Sequence, residues 1–328
     1  MEKKIKNFPN NITDAIRIAE NSIKNFQFSR IKNIVISGQG GSGIAGVIAK
    51  DIFYKSLSIP IFIVQDYEIP SYINNETLFV SSSYSGNTEE TITSLKSAIK
   101  RKSQIICISS GGTIKNIANK NNLYYIELPK GGPPRAMIAY SLIQLIFLFC
   151  NIDQKNNKIG HISTELVNIS KKLKKDQPEI IKRAKDISNS IGKKMPFIYS
   201  YSNFEGIALR FKQQLNENSK RHAIFNVIPE MNHNEIVAWS RESLCSIPIF
   251  INSSSFEKNK IRMELTSNLI AKKVENYITV NYNTQSELEE YFYFLHLFDW
   301  ISLMIANKDG VDPNDIKIID KLKNQISN

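Results

Sequence analysis

The sequence is 328 residues long, which exceeds one ordinary domain and suits two of about 160 residues each. Hydrophobic residues make up 42% of the chain and charged residues 22%, as in a globular protein with a substantial core. The net charge of +11 is spread along the chain in single lysines and pairs. Nucleic-acid-binding proteins concentrate such charge in a stripe or tail, so the composition predicts no nucleic-acid partner.

The three cysteines, Cys107, Cys150 and Cys245, lie in apolar runs and show no zinc-ligand or Cys-x-x-Cys spacing. We expect buried, reduced thiols and no metal site. The N-terminal residues lack the apolar run of a secretion signal, which predicts a cytoplasmic protein. The most apolar segment, residues 136–152, is short for a bilayer span and carries polar residues. We interpret it as a buried helix, with no membrane partner.

Short β-branched segments alternate with helical segments through the first half of the chain. Each strand segment is apolar throughout and is followed by a turn or helix signal, which is typical of parallel strands covered on both faces. The alternation predicts an α/β fold with a doubly wound sheet. The predicted strands are residues 31–38, 59–65, 77–83, 103–110 and 122–128, and the predicted helices are residues 42–55, 87–101, 112–120 and 136–150.

The second half of the chain repeats this pattern. It follows a polar, lysine-rich connection, residues 151–175, for which we expect a long surface helix. The predicted strands of this half are residues 195–202, 246–253 and 275–282, and its predicted helices are residues 204–218, 256–274, 285–306 and 313–325.

The two halves also share sequence. Residues 35–50 align without gaps on residues 198–213, and the identities fall at the same strand-to-helix junction. This favours a duplicated domain, with an N-terminal domain at residues 1–152 and a C-terminal domain at residues 153–328. The identical pairs are Ser37 and Ser200, Gly43 and Gly206, Ile44 and Ile207, and Ala45 and Ala208.

Residues 38–43 have the pattern Gly-x-Gly-x-x-Gly between a predicted strand and a predicted helix, and Asp66 follows at the end of the next strand. This arrangement fits a nicotinamide or flavin fingerprint. The physical basis is more general, because glycines allow backbone N–H groups to approach any anion at a helix start. Gly41 and Ser42 are therefore candidate phosphate-binding residues, and this loop alone leaves the ligand open.

A second loop, residues 81–90, separates these interpretations. Ser83, Ser85 and Thr88 place three hydroxyls around one helix N-terminus, and each can donate to a phosphate oxygen. A dinucleotide fold does not require a second, hydroxyl-rich loop, whereas a terminal phosphomonoester has three exposed oxygens to satisfy. An ordinary serine-rich loop is the alternative. The two loops together predict a phosphomonoester site.

The pairing of residues 40–46, GGSGIAG, with residues 83–91, SYSGNTEET, resembles the sugar isomerase (SIS) domain. Two such domains in a chain of this length resemble the archaeal and bacterial bifunctional phosphoglucose/phosphomannose isomerase family. The resemblance implies two tandem, flavodoxin-like three-layer domains, each with a mostly parallel sheet flanked by helices. It also implies an enzyme without cofactor that interconverts glucose 6-phosphate, and mannose 6-phosphate, with fructose 6-phosphate.

Aldose–ketose isomerisation opens the sugar ring and moves a proton between C2 and C1 through a cis-enediol, which requires a base such as a carboxylate. Residues 213–239 contain a Leu-Asn-Glu-Asn segment followed by a Pro-Glu-x-x-His-Asn-Glu segment, similar to the family's catalytic segments. The resemblance implies that Glu217 is the base and that His233 opens the ring. We expect the amides of Asn216 and Asn218 to orient Glu217.

Residues 131–136, GGPPRA, resemble a family stretch whose arginine steadies the enediolate, a role that suits the permanent charge of Arg135. Residues 310–325 resemble the family's C-terminal segment, in which a lysine reaches the active site. We assign that role to Lys323 in preference to Lys321.

In the family the ring-opening histidine comes from the neighbouring subunit, which implies a homodimer with His233 supplied across the interface. The sequence departs from the family pattern at Ala45, where serine is expected, and at His222, which has no family role. The glucose or mannose preference stays open.

Three alternatives remain for the function. One is an isomerase for another phosphosugar, such as an aminosugar or pentose phosphate. Another is a non-catalytic SIS sensor of sugar phosphates, although such sensors usually carry a DNA-binding segment. A metal-dependent mannose phosphate isomerase is disfavoured, since the four histidines form no ligand cluster in the sequence.

Overall fold

A computed structural model gives the structure of residues 1–23, 26–153, 159–253 and 257–326. The chain divides into two compact units. Residues Lys6–Lys175 form what we call the N-terminal unit, and Met1–Ile5 with Asp176–Asn328 form the C-terminal unit.

The N-terminal unit contains a five-stranded parallel sheet with the order β2-β1-β3-β4-β5. The strands are β1 (Asn33–Ser37), β2 (Ile61–Val64), β3 (Thr77–Ser82), β4 (Gln104–Ser109) and β5 (Tyr124–Glu127). Its helices are α1 (Glu2–Lys6, shared with the C-terminal unit), α2 (Phe8–Ser22), α3 (Gly40–Phe53), α4 (Glu89–Lys100), α5 (Gly112–Lys120), α6 (Ile138–Ile152) and α7 (Ile159–Lys175).

Helices cover both faces of this sheet. Every residue of β3 and all but the first of β4 are buried, which explains why these strands are apolar throughout. On one face, Leu95 of α4 and Ile114 of α5 pack in a cluster with Phe79 and Cys107 of the central strands. On the other face α3 packs against α6, whose residues are almost all buried. The prediction of a buried helix at this segment is confirmed.

Helix α7 belongs to the N-terminal unit, so the division at Lys175 lies beyond the expected boundary at residue 152. The reason is its packing against α2. The Ser170 hydroxyl donates to the carbonyl of Pro9 at 2.7 Å and lies 3.0 Å from the Thr13 hydroxyl. Helix α7 is thus an amphipathic helix with a buried apolar face, formed here by Leu166, Ile169 and Leu173.

The C-terminal unit contains a four-stranded parallel sheet with the order β7-β6-β8-β9. The strands are β6 (Met195–Tyr201), β7 (Ile224–Ile228), β8 (Ser246–Asn252) and β9 (Ile278–Asn281), and the helices are α8 (Gln177–Ile191), α9 (Glu205–Ser219), α10 (Glu257–Ala271), α11 (Glu287–Asp309) and α12 (Lys317–Ile326). The order matches that of the first four strands of the N-terminal unit. This shared topology supports the duplication inferred from the sequence.

The predicted doubly wound parallel sheets are confirmed, and each predicted strand and helix has a counterpart. The sequence patterns did not assign β7 or the helices α1, α2 and α8. Within the described ranges, no helix is both long and apolar enough to cross a membrane.

Cys107 and Cys150 are buried, but Cys245 is exposed just ahead of β8, so the expectation of a buried thiol is wrong there. The turn that precedes β8 turns this residue outward, whereas the strand residues after Ser246 are enclosed. Burial raises the pKa of the Cys107 thiol to about 12.

A buried ion pair joins α9 to α11. Arg210 donates to both carboxylate oxygens of Asp299, at 2.7 and 3.0 Å, and the Gln214 amide donates to the same carboxylate at 2.5 Å. Both charged side chains are only 2–3% exposed. A buried charge without its partner is strongly unfavourable, so this contact fixes how the two helices pack.

We expect Arg210→Met to lower the free energy of unfolding by about 3–5 kcal/mol, because it leaves the Asp299 carboxylate buried without its cation. The surface pair between Lys194 and Glu275 provides a matched control. There, Lys194→Met should cost less than about 1 kcal/mol, since exposed ion pairs contribute little. Urea denaturation followed by circular dichroism measures both, and equal losses would contradict the assignment.

Candidate active site

The strand order of the N-terminal unit creates one crevice at the carboxyl edge of its sheet. From β1 the chain crosses to β2 on one side, and β3 lies on the other side. The carboxyl ends of β1 and β3 are paired, with Ser37 opposite Ser81. Ligands of doubly wound sheets bind at such topological switch points. The loops that follow β1 and β3 are the two glycine- and serine-rich loops selected from the sequence.

The first loop lies so close to its neighbours that only glycine fits. A Cβ atom on Gly38 would lie 2.7 Å from the Ser82 carbonyl oxygen, and one on Gly41 would lie 2.8 Å from the carbonyl oxygen of Pro134. Helix α3 begins at Gly40, within this loop, and its N-cap residue Gln39 makes no side-chain capping hydrogen bond. A helix start without a side-chain cap favours an anion, because its first N–H groups have no partner within the helix.

The second loop gathers hydroxyl groups at the start of α4. The hydroxyls of Ser83 and Thr88 are 2.8 Å apart, and the Gly86 N–H donates to Ser83 Oγ at 3.2 Å. Ser85 is exposed, and its Oγ accepts from the Asn87 N–H at 3.2 Å. Thr88 is the N-cap of α4 but makes no side-chain capping bond, so this helix start is also uncapped by its own side chain.

Contacts between loops assemble these groups. The Tyr84 N–H donates to the buried Ser42 hydroxyl at 3.0 Å, which joins the second loop to the first. The Tyr84 hydroxyl donates to the Pro129 carbonyl at 2.7 Å, which joins it to the loop carrying Arg135. A Cβ on Gly41 would lie 3.1 Å from the Arg135 backbone nitrogen. We call the site formed by Gly41, Ser42, Ser83, Ser85 and Thr88 the hydroxyl cradle.

Arg135 is 3% exposed and lies in a short 3₁₀ turn, Pro134–Ala136, ahead of α6. Its backbone lies beside Gly41 of the hydroxyl cradle. Lys130 was not selected from the sequence, yet a Cβ on Gly111, at the end of β4, would lie 3.7 Å from its amine. A lone lysine after a strand carries no distinctive sequence signal. Its position beside Gly111 is therefore evident only from the structure.

The strand order also decides against the dinucleotide interpretation of the first loop. In the classic dinucleotide-binding order the third strand lies beyond the second, whereas here β3 lies beside β1. Asp66 does follow β2, but its carboxylate accepts from the Tyr67 N–H at 2.6 Å in an exposed turn. The arrangement is flavodoxin-like, with the two loops at its switch point.

In the C-terminal unit, Glu217 lies in the last turn of α9 and is half-buried. Several contacts hold this turn. Ser219 donates to the Ser302 carbonyl of α11 at 2.7 Å, and the Lys220 amine donates to the carbonyl oxygens of Glu217 and Asp312 at 2.8 and 2.6 Å. The backbone that carries Glu217 is therefore fixed against α11 and the segment after it.

The amides of Asn216 and Asn218, which flank Glu217, each make a hydrogen bond to another part of the unit. The Asn216 amide donates to the Arg221 carbonyl at 2.7 Å, and the Asn218 amide donates to the Ser302 hydroxyl at 2.9 Å. These two bonds hold the end of α9. Arg221 adds to this end by donating to both oxygens of Asp309, at 2.6 and 2.7 Å.

His233 is exposed at the end of a 3₁₀ turn, Glu230–His233, that follows β7. The loop beneath it is held by Glu235, which accepts from the Tyr199 hydroxyl at 2.6 Å and from the Asn226 amide at 2.7 Å. The Asn232 amide donates to Thr266 of α10 at 2.8 Å. These bonds present the imidazole on a well-defined surface loop.

The remaining candidates lie on the surface. Lys321 and Lys323 are both exposed on α12, so the structure gives no preference between them. His222 is exposed between α9 and β7. Among the described residues, no group of three or more histidine, cysteine or acidic side chains is arranged to hold a metal ion.

Comparisons with known proteins place this geometry in a family. The model of the bacterial phospho-glucose isomerase C-terminal SIS domain matches residues 180–326, and that of the SIS domain matches residues 27–147. Among solved structures, a phosphosugar isomerase from Clostridium difficile, described as putative, has a TM-score of 0.82 at 17% identity, over 98% of this chain and 97% of that one. At this identity the likeness shows the fold.

Two curated relatives are similar over nearly their whole lengths. The bifunctional phosphoglucose/phosphomannose isomerase of Caldicellulosiruptor bescii is 35% identical over 100% of this chain and 99% of the relative. That of Aquifex aeolicus is 33% identical over 90% of each chain. The chain with the hydroxyl cradle and Glu217 thus belongs to the bifunctional phosphoglucose/phosphomannose isomerase family.

Proposed function

We propose that this protein interconverts glucose 6-phosphate, and mannose 6-phosphate, with fructose 6-phosphate through ring opening and a cis-enediol. Membership of the family supports the reaction, because the relatives named above are bifunctional phosphoglucose/phosphomannose isomerases. The observation that carries the proposal is the hydroxyl cradle at the switch point, built from side chains of the two loops joined by the bond from Tyr84 to Ser42. Its hydroxyl groups suit a phosphomonoester.

The cradle binds the substrate phosphate. Hydroxyl groups rotate freely and donate to phosphate oxygens, and the two helix starts add partial positive charge. Ser85 is the exposed member and meets the phosphate directly, whereas the buried Ser42 holds the second loop in place. Hydrogen bonds to a charged group are stronger than those between neutral groups. The cradle therefore binds a phosphate dianion in preference to a neutral sugar.

Glu217 acts as the base that moves the proton between C2 and C1. The step is redox-neutral, since one C–H bond breaks while another forms, and it needs no metal or cofactor. The contacts at the end of α9 fix the backbone that carries this carboxylate, and general base catalysis requires a positioned base. Arg135 steadies the negative charge of the enediolate, and Lys323 adds a further cation.

His233 opens the sugar ring from the neighbouring subunit of a homodimer. Support comes from α10, to which the His233 loop is bound through Asn232 and Thr266. The inner face of this helix is buried, but its outer face exposes an apolar stripe at spacing i, i+4 and i+8. The stripe is Ile261, Leu265 and Leu269, which are 51, 60 and 56% exposed. Such a stripe is typical of an interface.

The cytoplasmic location stays a prediction, as does the absence of nucleic-acid and membrane partners. An isomerase for another phosphosugar would use the same cradle and base. Only an assay distinguishes glucose 6-phosphate and mannose 6-phosphate from such other substrates. A sensor would bind sugar phosphate without needing Glu217.

Replacing Ser85 by alanine should raise the KM for fructose 6-phosphate by about 10-fold or more, because a hydrogen bond to a charged phosphate is lost. The kcat should change little, since this hydroxyl binds the phosphate and takes no part in the proton transfer. Ser97→Ala, on the same α4, is the matched control and should leave KM unchanged. Steady-state kinetics measure both variants. An unaltered KM for Ser85→Ala would remove this residue from the cradle.

Replacing Glu217 by glutamine should lower kcat by about 10²-fold or more, the scale of a lost general base, while fructose 6-phosphate still binds. Turnover is followed by coupled assay without added metal and in the presence of a chelator, and binding by calorimetry. Glu242→Gln makes the same change at an exposed loop position of the same unit and should remain active.

Full activity of the Glu217 variant would exclude it as the base. Binding of sugar phosphates by an unaltered protein without any interconversion would favour the sensor. Activity that disappears in the chelator and returns with a divalent cation would indicate a metal-dependent reaction instead.

The dimer is tested by Leu265→Glu, which places a charge in the middle of the apolar stripe. We expect the unaltered protein to sediment as a dimer and this variant as a folded monomer with at least about 10²-fold lower kcat, because His233 no longer reaches the other subunit's site. Leu244→Glu, at a leucine 64% exposed outside the stripe, should remain dimeric and active. A fully active monomer would contradict the shared site.

A further inference from the structure

A second cavity lies at the switch point of the C-terminal unit. It has a volume of about 410 Å³ and lies at the carboxyl edge of the sheet, where β6, β8 and β9 end. Its lining includes Tyr201, Asn252, Asn281 and Tyr282. The size falls within the range of small-molecule sites, and neither Glu217 nor His233 lines it.

Two polar groups of this lining have unused hydrogen-bonding capacity. Tyr201 is 0% exposed, and its hydroxyl has no hydrogen-bond partner among the residues that the structure describes. The Asn252 amide donates to Asn281 at 2.8 Å, but within the same described ranges its own oxygen accepts no bond. Buried polar groups in native proteins are normally paired, so unpaired ones beside a cavity point to a ligand.

The Tyr201 hydroxyl keeps its proton at neutral pH. Burial, and to a smaller extent the negative charge of Glu290, raise its pKa to about 12. The wall of the cavity thus contains a donor from Tyr201 and an acceptor from Asn252, each almost completely covered by surrounding atoms. A ligand hydroxyl group satisfies both, because it accepts one bond and donates another. Phosphate dianions and carboxylates have no proton to donate to the Asn252 oxygen.

The charge around the cavity also disfavours a phosphate. In the alignment of the two halves, Gly38, Gly41 and Ser42 of the first loop correspond to Tyr201, Phe204 and Glu205. The tyrosine occupies the position where glycine allows the close approach of a backbone. Glu205 places a negative charge at the start of α9, where an anion would otherwise bind.

A further carboxylate lies behind the cavity wall. Ser253, which lines the cavity, donates to the fully buried Glu290 at 2.5 Å. Lys260 is the one cation among the described lining residues, and it is exposed on α10. The amide, phenol and hydroxyl groups that dominate the lining suit an uncharged ligand.

We propose that this cavity is a second binding site of the protein, for an uncharged, hydroxyl-rich small molecule such as a free sugar or polyol. The duplicated fold supplies two switch-point crevices. The first is lined for a phosphomonoester, and the second is lined for hydroxyl groups without phosphate. The site is independent of the isomerase activity.

The experiment titrates D-mannitol and D-glucose into the full-length protein, followed by saturation-transfer NMR, with fructose 6-phosphate as a charged comparison. Tyr201→Phe removes only the unpartnered hydroxyl. We expect it to weaken mannitol binding by about 10-fold, the scale of one lost hydrogen bond with its partner left unsatisfied. The kcat/KM for fructose 6-phosphate should stay within about twofold of the unaltered protein, since the site is separate from catalysis.

Folding does not obscure this test. Because the hydroxyl has no partner among the described residues, its removal should leave the melting temperature unchanged or raise it. Tyr277→Phe, at a tyrosine 38% exposed on the surface, is the matched control and should bind mannitol normally. Absence of saturable mannitol and glucose binding, or equal binding by the Tyr201 variant, would overturn the proposal. So would displacement of the bound polyol by fructose 6-phosphate, which would place it in the hydroxyl cradle.

Discussion

The carboxyl edge of a parallel sheet is the constraint on which the rest of this structure depends. Crossover connections leave β1 and β3 in opposite directions, so the loops after them meet without a helix between them. The hydrogen bond from the Tyr84 N–H to Ser42 then fixes the two loops together. Glycines at the same edge let the backbone of the first loop pack closely against Ser82 and Pro134, where a Cβ atom would collide. Phosphate recognition thereby follows from topology as much as from residue type.

Duplication accounts for two related α/β units in one chain, of which the first carries the proposed phosphate site and the second the proposed base. The two sheets share a strand order, but their crevices have diverged. Where the first unit has Gly38, the second has Tyr201, and where the first has Ser42, the second has Glu205. The C-terminal unit keeps the α9 scaffold, and the buried pair of Arg210 and Asp299 anchors that helix against α11. Its last turn carries Glu217.

Much of the fold was predictable because burial on both faces makes the central strands continuously apolar. Strand β7 was not predicted because it is an edge strand whose residues are mostly half-buried or exposed. With Asn226 at its centre, it lacks the continuous apolar pattern of the central strands. The grouping of Ser83, Ser85 and Thr88 was predictable since these three residues share one loop. The nearness of Gly41 to Arg135 was not, because only the sheet brings them together. The partners of Asn216 and Asn218 likewise depend on helix packing, which a single sequence does not encode in its local pattern.

The most direct measurement is a crystal structure of the protein with fructose 6-phosphate bound. The account predicts the phosphate at the carboxyl ends of β1 and β3, with its oxygens within hydrogen-bonding distance of Ser83, Ser85 and Thr88. A phosphate bound elsewhere, with these three hydroxyls contacting only protein and water, would contradict it.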